Sequence, residues 1–361
     1  MRRIRYVCRP GILLVLLLVA GGLLAGCTVE ITSTPAPASS GDGGGQPGVV
    51  HAPAGTPVWA ELGLTGRLFF VGYDSAQQQA IYELDLVSGA LRTLFTAPDN
   101  ALLNEVAAAP DGQQLAVAYA PPPPEGEIQF GFASIYTMPA DGSAAPTPLI
   151  ARRGETETFY NISWPLADFV YYAHYLPGTG DLGETIYTAR VERFYLPDGQ
   201  PAVLAEASSW PRLSRNGARL AYVTDANELI LADADGGNGQ VLLPGSAFPA
   251  VDAPFFSLEG GQVYVSAAVT GATLTLLDRL LGVRLAEAHS VPSDWWVFPA
   301  GGGDGAQLTN LYEIGLYGDL SPDGRHIAFI TSGGVFVMNP DGSGVFQLLD
   351  MPATGTLNWV P

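Results

Sequence analysis

Three stretches of this 361-residue chain are near-copies of one another. Ala109-Pro110-Asp111-Gly112 runs into Leu115-Ala116-Val117. Leu213-Ser214-Arg215-Asn216-Gly217 runs into Leu220-Ala221-Tyr222. Leu320-Ser321-Pro322-Asp323-Gly324 runs into Ile327-Ala328-Phe329. A tight turn and a short apolar run, recurring along a chain, mark one supersecondary unit repeated. A unit too small to bury its own apolar face must stack on its neighbours. The choice narrows to repeat arrays, solenoids and propellers before any propensity is counted.

Each unit reads as four short strands, a to d. Strand a ends in the Pro-Asp-Gly turn, where Pro suits the early position and Asp-Gly supplies a side-chain hydrogen bond and a positive φ. Strand b is apolar on both sides: Leu115-Ala116-Val117-Ala118-Tyr119, Val170-Tyr171-Tyr172-Ala173, Val263-Tyr264-Val265 and Ile327-Ala328-Phe329-Ile330. Such a strand must be covered on both faces, and adjacent propeller blades provide that cover. Strand c follows as Ile81-Tyr82-Glu83-Leu84, Ile135-Tyr136-Thr137-Met138, Ile186-Tyr187-Thr188, Leu229-Ile230-Leu231, Trp296-Val297-Phe298 and Val335-Phe336-Val337-Met338. A second turn closes each (Ser88-Gly89, Asp141-Gly142, Asp198-Gly199, Asp235-Gly236, Asp304-Gly305, Asp341-Gly342), and strand d follows. Six c–d hairpins predict an all-β, six-bladed propeller of four-stranded antiparallel blades. The C-terminal Leu357-Asn358-Trp359-Val360 is a lone strand a, expected to pair with Leu68-Phe69-Phe70-Val71 and close the ring, leaving no open edge. Val58-Trp59-Ala60 is the competing strand a.

These residues resemble the TolB-like six-bladed propeller repeat, with its Ser-Pro-Asp-Gly turn, Ile-Ala-Phe and Ile-Tyr-Val strands, and second Asp-Gly turn. The resemblance covers 58–361. It implies a binding platform and no transferable site residues, because the separate N-terminal domain of the namesake has no counterpart here.

Residues 1–26 read as an export signal, with Arg2, Arg3, Arg5 and Arg9 ahead of an apolar Gly11 to Leu24. The segment ends in Leu24-Ala25-Gly26-Cys27, which resembles a bacterial lipobox; the resemblance implies cleavage before Cys27 and lipidation of its thiol. In a bacterium with two membranes, Thr28 in place of Asp would resemble the outer-membrane sorting pattern; the sequence leaves the cell type, and so the membrane, open. Residues 27–57 are rich in Pro, Gly, Ser and Thr and are expected to form a disordered tether spanning about 30 Å. The expected location is therefore the bacterial envelope, outside the cytoplasm, with the membrane reached only through lipid. Cys8 and Cys27 are the two cysteines, so the mature domain would carry no thiol for a disulfide, a metal or nucleophilic catalysis.

The formal charge is −19, with no lysine and sixteen arginines. A surface so acidic repels phosphate and excludes nucleic acid as a natural partner. No metal and no cofactor are expected, and the domain is expected to be a monomer.

Antiparallel blades place a–b and c–d turns on one rim and b–c and d–a connections on the other. The first rim carries tight turns. The second collects the insertions: a b–c loop beginning at Pro121-Pro122-Pro123-Pro124, another from Leu176 to Glu184, and a third over about 268–294. Long connections gathered on one side of a rigid scaffold are where binding residues concentrate. The candidate binding set on that rim is Arg152, Arg153, His174, Tyr175, Asp181 and Glu184, with Arg279, Arg284 and His289 in the blade-five insertion. The insertion's Leu277, Leu280, Leu281 and Leu285 have helical spacing. Paired Arg152 and Arg153 suit a carboxylate or phosphate, or else a salt bridge to Glu155 or Glu157. Gly178-x-Gly180-x-x-Gly183 falls in a propeller loop and lacks the strand–helix context of a dinucleotide site. No catalytic residue is assigned. Two functions remain open: a non-enzymatic scaffold for a protein, peptide or glycan, and a lyase or hydrolase with its site in the channel.

Overall fold

The computed structural model describes residues 49–50, 57–180, 183–268 and 291–361. Cys27, the expected lipidation site, Asp181 and the blade-five candidates Arg279, Arg284 and His289 lie outside the described residues. Strands dominate, and the described residues contain one short 3-10 turn, Ala60–Leu62, and no α-helix.

Six antiparallel sheets form the ring. Blade two is built from Leu102–Ala108, Gln114–Ala120, Ser134–Pro139 and Thr147–Ile150; blade three from Thr158–Leu166, Phe169–Thr179, Thr185–Tyr195 and Gln200–Glu206. Blade four comprises Ser208–Leu213, Arg219–Thr224, Leu229–Asp233 and Gln240–Leu243. Blade five comprises Val251–Phe256, Gln262–Ala268, Ser293–Pro299 and Ala306–Gln307, and blade six Tyr317–Leu320, Ile327–Thr331, Gly334–Met338 and Phe346–Leu349. Blade one takes strands b, c and d from Arg67–Tyr73, Gln79–Asp85 and Leu91–Thr96, and strand a from the C-terminal Ala353–Val360. The closing register runs Arg67↔Val360, Phe70↔Leu357 and Gly72↔Ala353. Trp359 seals it by donating its indole N–H to the Thr65 carbonyl at 2.9 Å. The competing segment makes no strand: Trp59 precedes the 3-10 turn, buried, with its indole on the Leu86 carbonyl at 2.8 Å. Val49–Val50 adds a short outer strand beside Leu91 and Arg92.

The core consists of the six interfaces between blades. Leu68 and Phe70 pack against blade six, while their neighbours Phe69 and Val71 pack against blade two. The same alternation takes Leu115 and Val117 back to blade one and Ala116 and Ala118 forward to blade three. Leu68, Phe69, Phe70 and Val71 are all at zero exposure, which is why strand b carries no polar residue there. Burying each such side chain contributes about 2–3 kcal/mol.

In blade three the segment Leu176 to Glu184 is not a loop throughout. Strands b and c continue past the blade as a two-stranded arm, pairing Leu176↔Thr188, Pro177↔Tyr187, Gly178↔Ile186 and Thr179↔Thr185. The Ile186-Tyr187-Thr188 triplet therefore lies in the arm. The register of the other blades is held by Val191-Glu192-Arg193-Phe194, with Val170 opposite Phe194 as Leu68 is opposite Leu84.

Candidate functional site

The channel side of the ring is formed by the six a strands, and their polar side chains tie each blade to the next. Thr356 Oγ1 accepts the Val106 N–H at 3.2 Å, and the Asn358 side chain donates to the Val106 carbonyl at 2.7 Å. Glu105 accepts the Ile162 N–H at 2.9 Å, Asn161 accepts the Trp210 N–H at 3.3 Å, and Asp319 accepts the Trp359 N–H at 2.9 Å. Burial drives the Glu105 carboxyl up to about 7, against the Ile162 N–H and the Arg212 charge. Burial likewise raises Asp319, and takes Asp252 to about 8 against a Ser266 hydrogen bond. Trp210 of blade four meets Tyr317 of blade six, ring centroids 5.6 Å apart. Arg215 spans the same pair of blades on the tight-turn rim, donating to the Leu320, Ser321 and Pro322 carbonyls. These groups serve as cross-braces of the ring.

The opposite rim concentrates its features where blades two and three meet. A cleft of about 340 Å³ runs along the interface of these blades, lined by Arg153, Phe159, Tyr172, His174, Arg190 and Glu192 toward this rim and reaching Gly199 and Pro201 at the c–d turn of blade three. Two of the sequence candidates, Arg153 and His174, come together here. His174 is buried, with Nδ1 at 3.0 Å from Glu192 and Nε2 facing Glu157 at 3.5 Å. The Tyr172 hydroxyl donates to Glu192 at 2.8 Å, and Arg190 Nε bonds the same carboxylate. Burial pushes the Glu192 carboxyl up, but hydrogen bonds from His174 and Tyr172 and the Arg190 charge outweigh it and hold the group below its ordinary range. Glu157 is also lowered: burial is outweighed by the Arg153 and Gly154 N–H groups and by His174. Nδ1 of His174 is thus held by Glu192, and Nε2 faces Glu157 at 3.5 Å. In chemical terms the cluster clamps blade three to the connection arriving from blade two.

Beside the cleft lies an exposed aromatic strip. Ile128 and Phe130 are each 72 % exposed on the blade-two b–c connection. Phe130 stacks on Phe132 at 6.0 Å, and Phe132 reaches Tyr187 of the arm at 6.4 Å. Gln129 pins this loop, donating to the Asn100 and Pro121 carbonyls and accepting the Gly131 N–H. With Gln129 turned inward, its neighbours Ile128 and Phe130 are left outward. Arg152 lays its guanidinium over Phe132 at 5.8 Å and donates to the Glu155 carbonyl, so its side chain serves the strip and makes no salt bridge to Glu155 or Glu157 among the described residues. Tyr175, half-buried, meets Tyr160 edge-on at 5.7 Å, and Tyr160 donates to the Gly131 carbonyl. Glu184 sits at the arm tip, its carbonyl accepting the Gly180 N–H.

Glu192, Arg190, Glu157 and the Ile128–Phe130–Phe132–Tyr187 strip went unassigned in the sequence. Three apolar residues at alternate positions inside a loop, with no strand partner in the repeat, were the signal for the strip. Asp235 illustrates the converse: its carboxylate accepts the Gly237 N–H at 2.9 Å, as a turn residue does. Among the described residues no group of His, Cys, Asp or Glu is arranged to hold a metal ion.

Comparison with solved structures gives the same architecture. TolB from Acinetobacter baumannii superposes with a TM-score of 0.55 at 14 % identity, over 81 % of this chain and 65 % of that one. The fold is that of the TolB propeller. A second structure assigned as TolB, from Agrobacterium tumefaciens, matches with a TM-score of 0.52 at 16 % identity, over 82 % of this chain and all of that one. A chain of the nidogen/laminin complex matches at 0.54 and 12 % identity, over 81 % of this chain and 97 % of its own. The chain thus spans just under two thirds of the Acinetobacter TolB. Identities this low establish the fold and carry no residue of TolB onto this chain. No protein-family model and no curated protein matches the sequence.

Proposed function

We propose that this chain is a lipid-anchored, extracytoplasmic binding module that takes a protein or peptide on the blade-two and blade-three sector of its insertion-rich rim. The observation that carries the proposal is the aromatic strip. Exposed, contiguous aromatic surface on a rigid, braced ring is costly in water and is characteristic of recognition surfaces. The TolB-like propeller fold is compatible with a scaffold role. No helix among the described residues is long and apolar enough to cross a membrane. Against the lyase or hydrolase reading stands the burial of His174, whose Nδ1 is held by Glu192 and whose Nε2 faces Glu157 at 3.5 Å. A general base needs a nitrogen within reach of substrate.

Site-specific photocrosslinking in intact cells tests the binding reading. A photoreactive residue at Phe130 should yield a discrete adduct with an envelope protein, and one at Asp141, on the tight-turn rim, should not. Equal labelling from both positions, or from neither, would remove the proposal. Cys27→Ser should move the protein from the membrane to the soluble fraction; retention on membranes would refute lipid anchoring.

A further inference from the structure

The arm of blade three ends the shelter of its own sheet. Strand c, Thr185–Tyr195, is covered on its outer side by strand d only as far as Arg190↔Glu206. Thr185, Ile186, Tyr187 and Thr188 lie beyond that point and are exposed, with Ile186 at 39 % and Tyr187 at 40 %. Among the described residues, strand b pairs with them on the inner side alone. The inner edge of the arm is guarded, since Pro177 has no N–H to offer. The outer edge is guarded by neither proline nor lysine, and its residues are β-branched or aromatic, the types that pair readily. One face of this edge continues into the aromatic strip, because Tyr187 meets Phe132.

We propose that the outer edge of Thr185–Thr188 receives an extended segment of a partner protein as an added β-strand. This rests on the binding-module reading and names its mode: main-chain hydrogen bonds for affinity, alternate side chains on the strip for selection. Charge decides the occupant. The chain carries −19, and Glu125, Glu127 and Glu184, exposed beside this edge, outnumber Arg152, which lies over Phe132. The segment is therefore cationic, with apolar residues at alternate positions. A second copy of this acidic chain is disfavoured by repulsion.

The probe is a fluorescein-labelled ten-residue peptide alternating lysine with valine, added to the full-length protein in mild detergent. Fluorescence anisotropy should report saturable binding, and hydrogen exchange should show new protection at 185–188. Binding should weaken about tenfold or more when alternate peptide amides are N-methylated, a change that leaves the protein untouched. Thr188→Pro should weaken it likewise while the thermal transition of the ring is unchanged. Equal binding by a glutamate–valine peptide, insensitivity to N-methylation, or protection elsewhere would each overturn the proposal. So would dimerisation through the arm in analytical ultracentrifugation. Photocrosslinking at Phe130 with an unresponsive arm would leave the binding reading standing and remove strand pairing.

Discussion

Single residues bear strain and charge that the repeat does not advertise. Gly355 occupies φ +70 in the closing strand, and a Cβ there would lie 2.0 Å from the Asn104 carbonyl oxygen. Gly355→Ala should therefore cost about 2 kcal/mol or more, by adding strain to a clash with backbone that cannot yield. Differential scanning calorimetry checks this; an unchanged Tm would mean that the Asn104 carbonyl does not crowd Gly355. Glu105 presents the opposite case, a polar residue kept where burial penalises its charge. With its carboxyl lifted to about 7, ionising it in the folded state costs about 3 kcal/mol relative to the unfolded chain. Glu105→Gln removes the charge, keeps an oxygen for the Ile162 N–H, and should raise Tm at pH 8 while changing it little at pH 5. Glu105→Ala should lower Tm at both, because the Ile162 N–H loses its acceptor.

At the scale of strands, the closing strand is the element on which the rest depends. Without Ala353–Val360, strand b of blade one exposes a fully apolar edge, and Val106 and Ala108 lose their cross-braces. Deletion of 353–361 should give a species that binds a hydrophobic dye and lacks near-UV circular dichroism; a native spectrum would contradict this. The six blades and their closure were legible in the sequence because turn chemistry and two-sided apolarity recur on every unit. The arm was not, because Ile186-Tyr187-Thr188 imitates strand c of its neighbours. The distance to the following turn distinguishes them: Ile135 stands six residues before Asp141, Ile186 twelve before Asp198. The His174–Glu192 clamp was illegible for another reason. Glu192 belongs to a strand whose register the imitation had displaced, so the carboxylate opposite His174 could not be seen.

Over the whole molecule, two sets of acids pull stability in opposite directions. Glu105, Asp252 and Asp319 bind their protons more tightly folded than unfolded. Their contribution is fully present below the ordinary carboxyl range, near pH 4, and is lost as pH rises through about 7 for Glu105 and about 8 for Asp252. Glu157 and Glu192 are shifted downward, so their contribution is present above that range and is lost as pH falls through their folded values. The stability curve should peak near pH 5 and decline toward pH 8.5. Thermal unfolding across that interval checks it, and the double variant Glu105→Gln, Asp252→Asn should flatten the alkaline limb. A flat wild-type profile would show that the ring acids are solvated. Ring closure has a further consequence for biogenesis. The strand that completes blade one is synthesised after every other strand of the ring, and its partner, Arg67–Tyr73, lies far upstream. Contact across so long a stretch delays cooperative folding until nearly the whole domain has left the ribosome. A domain whose latch arrives last stays unlocked until its final strand is available.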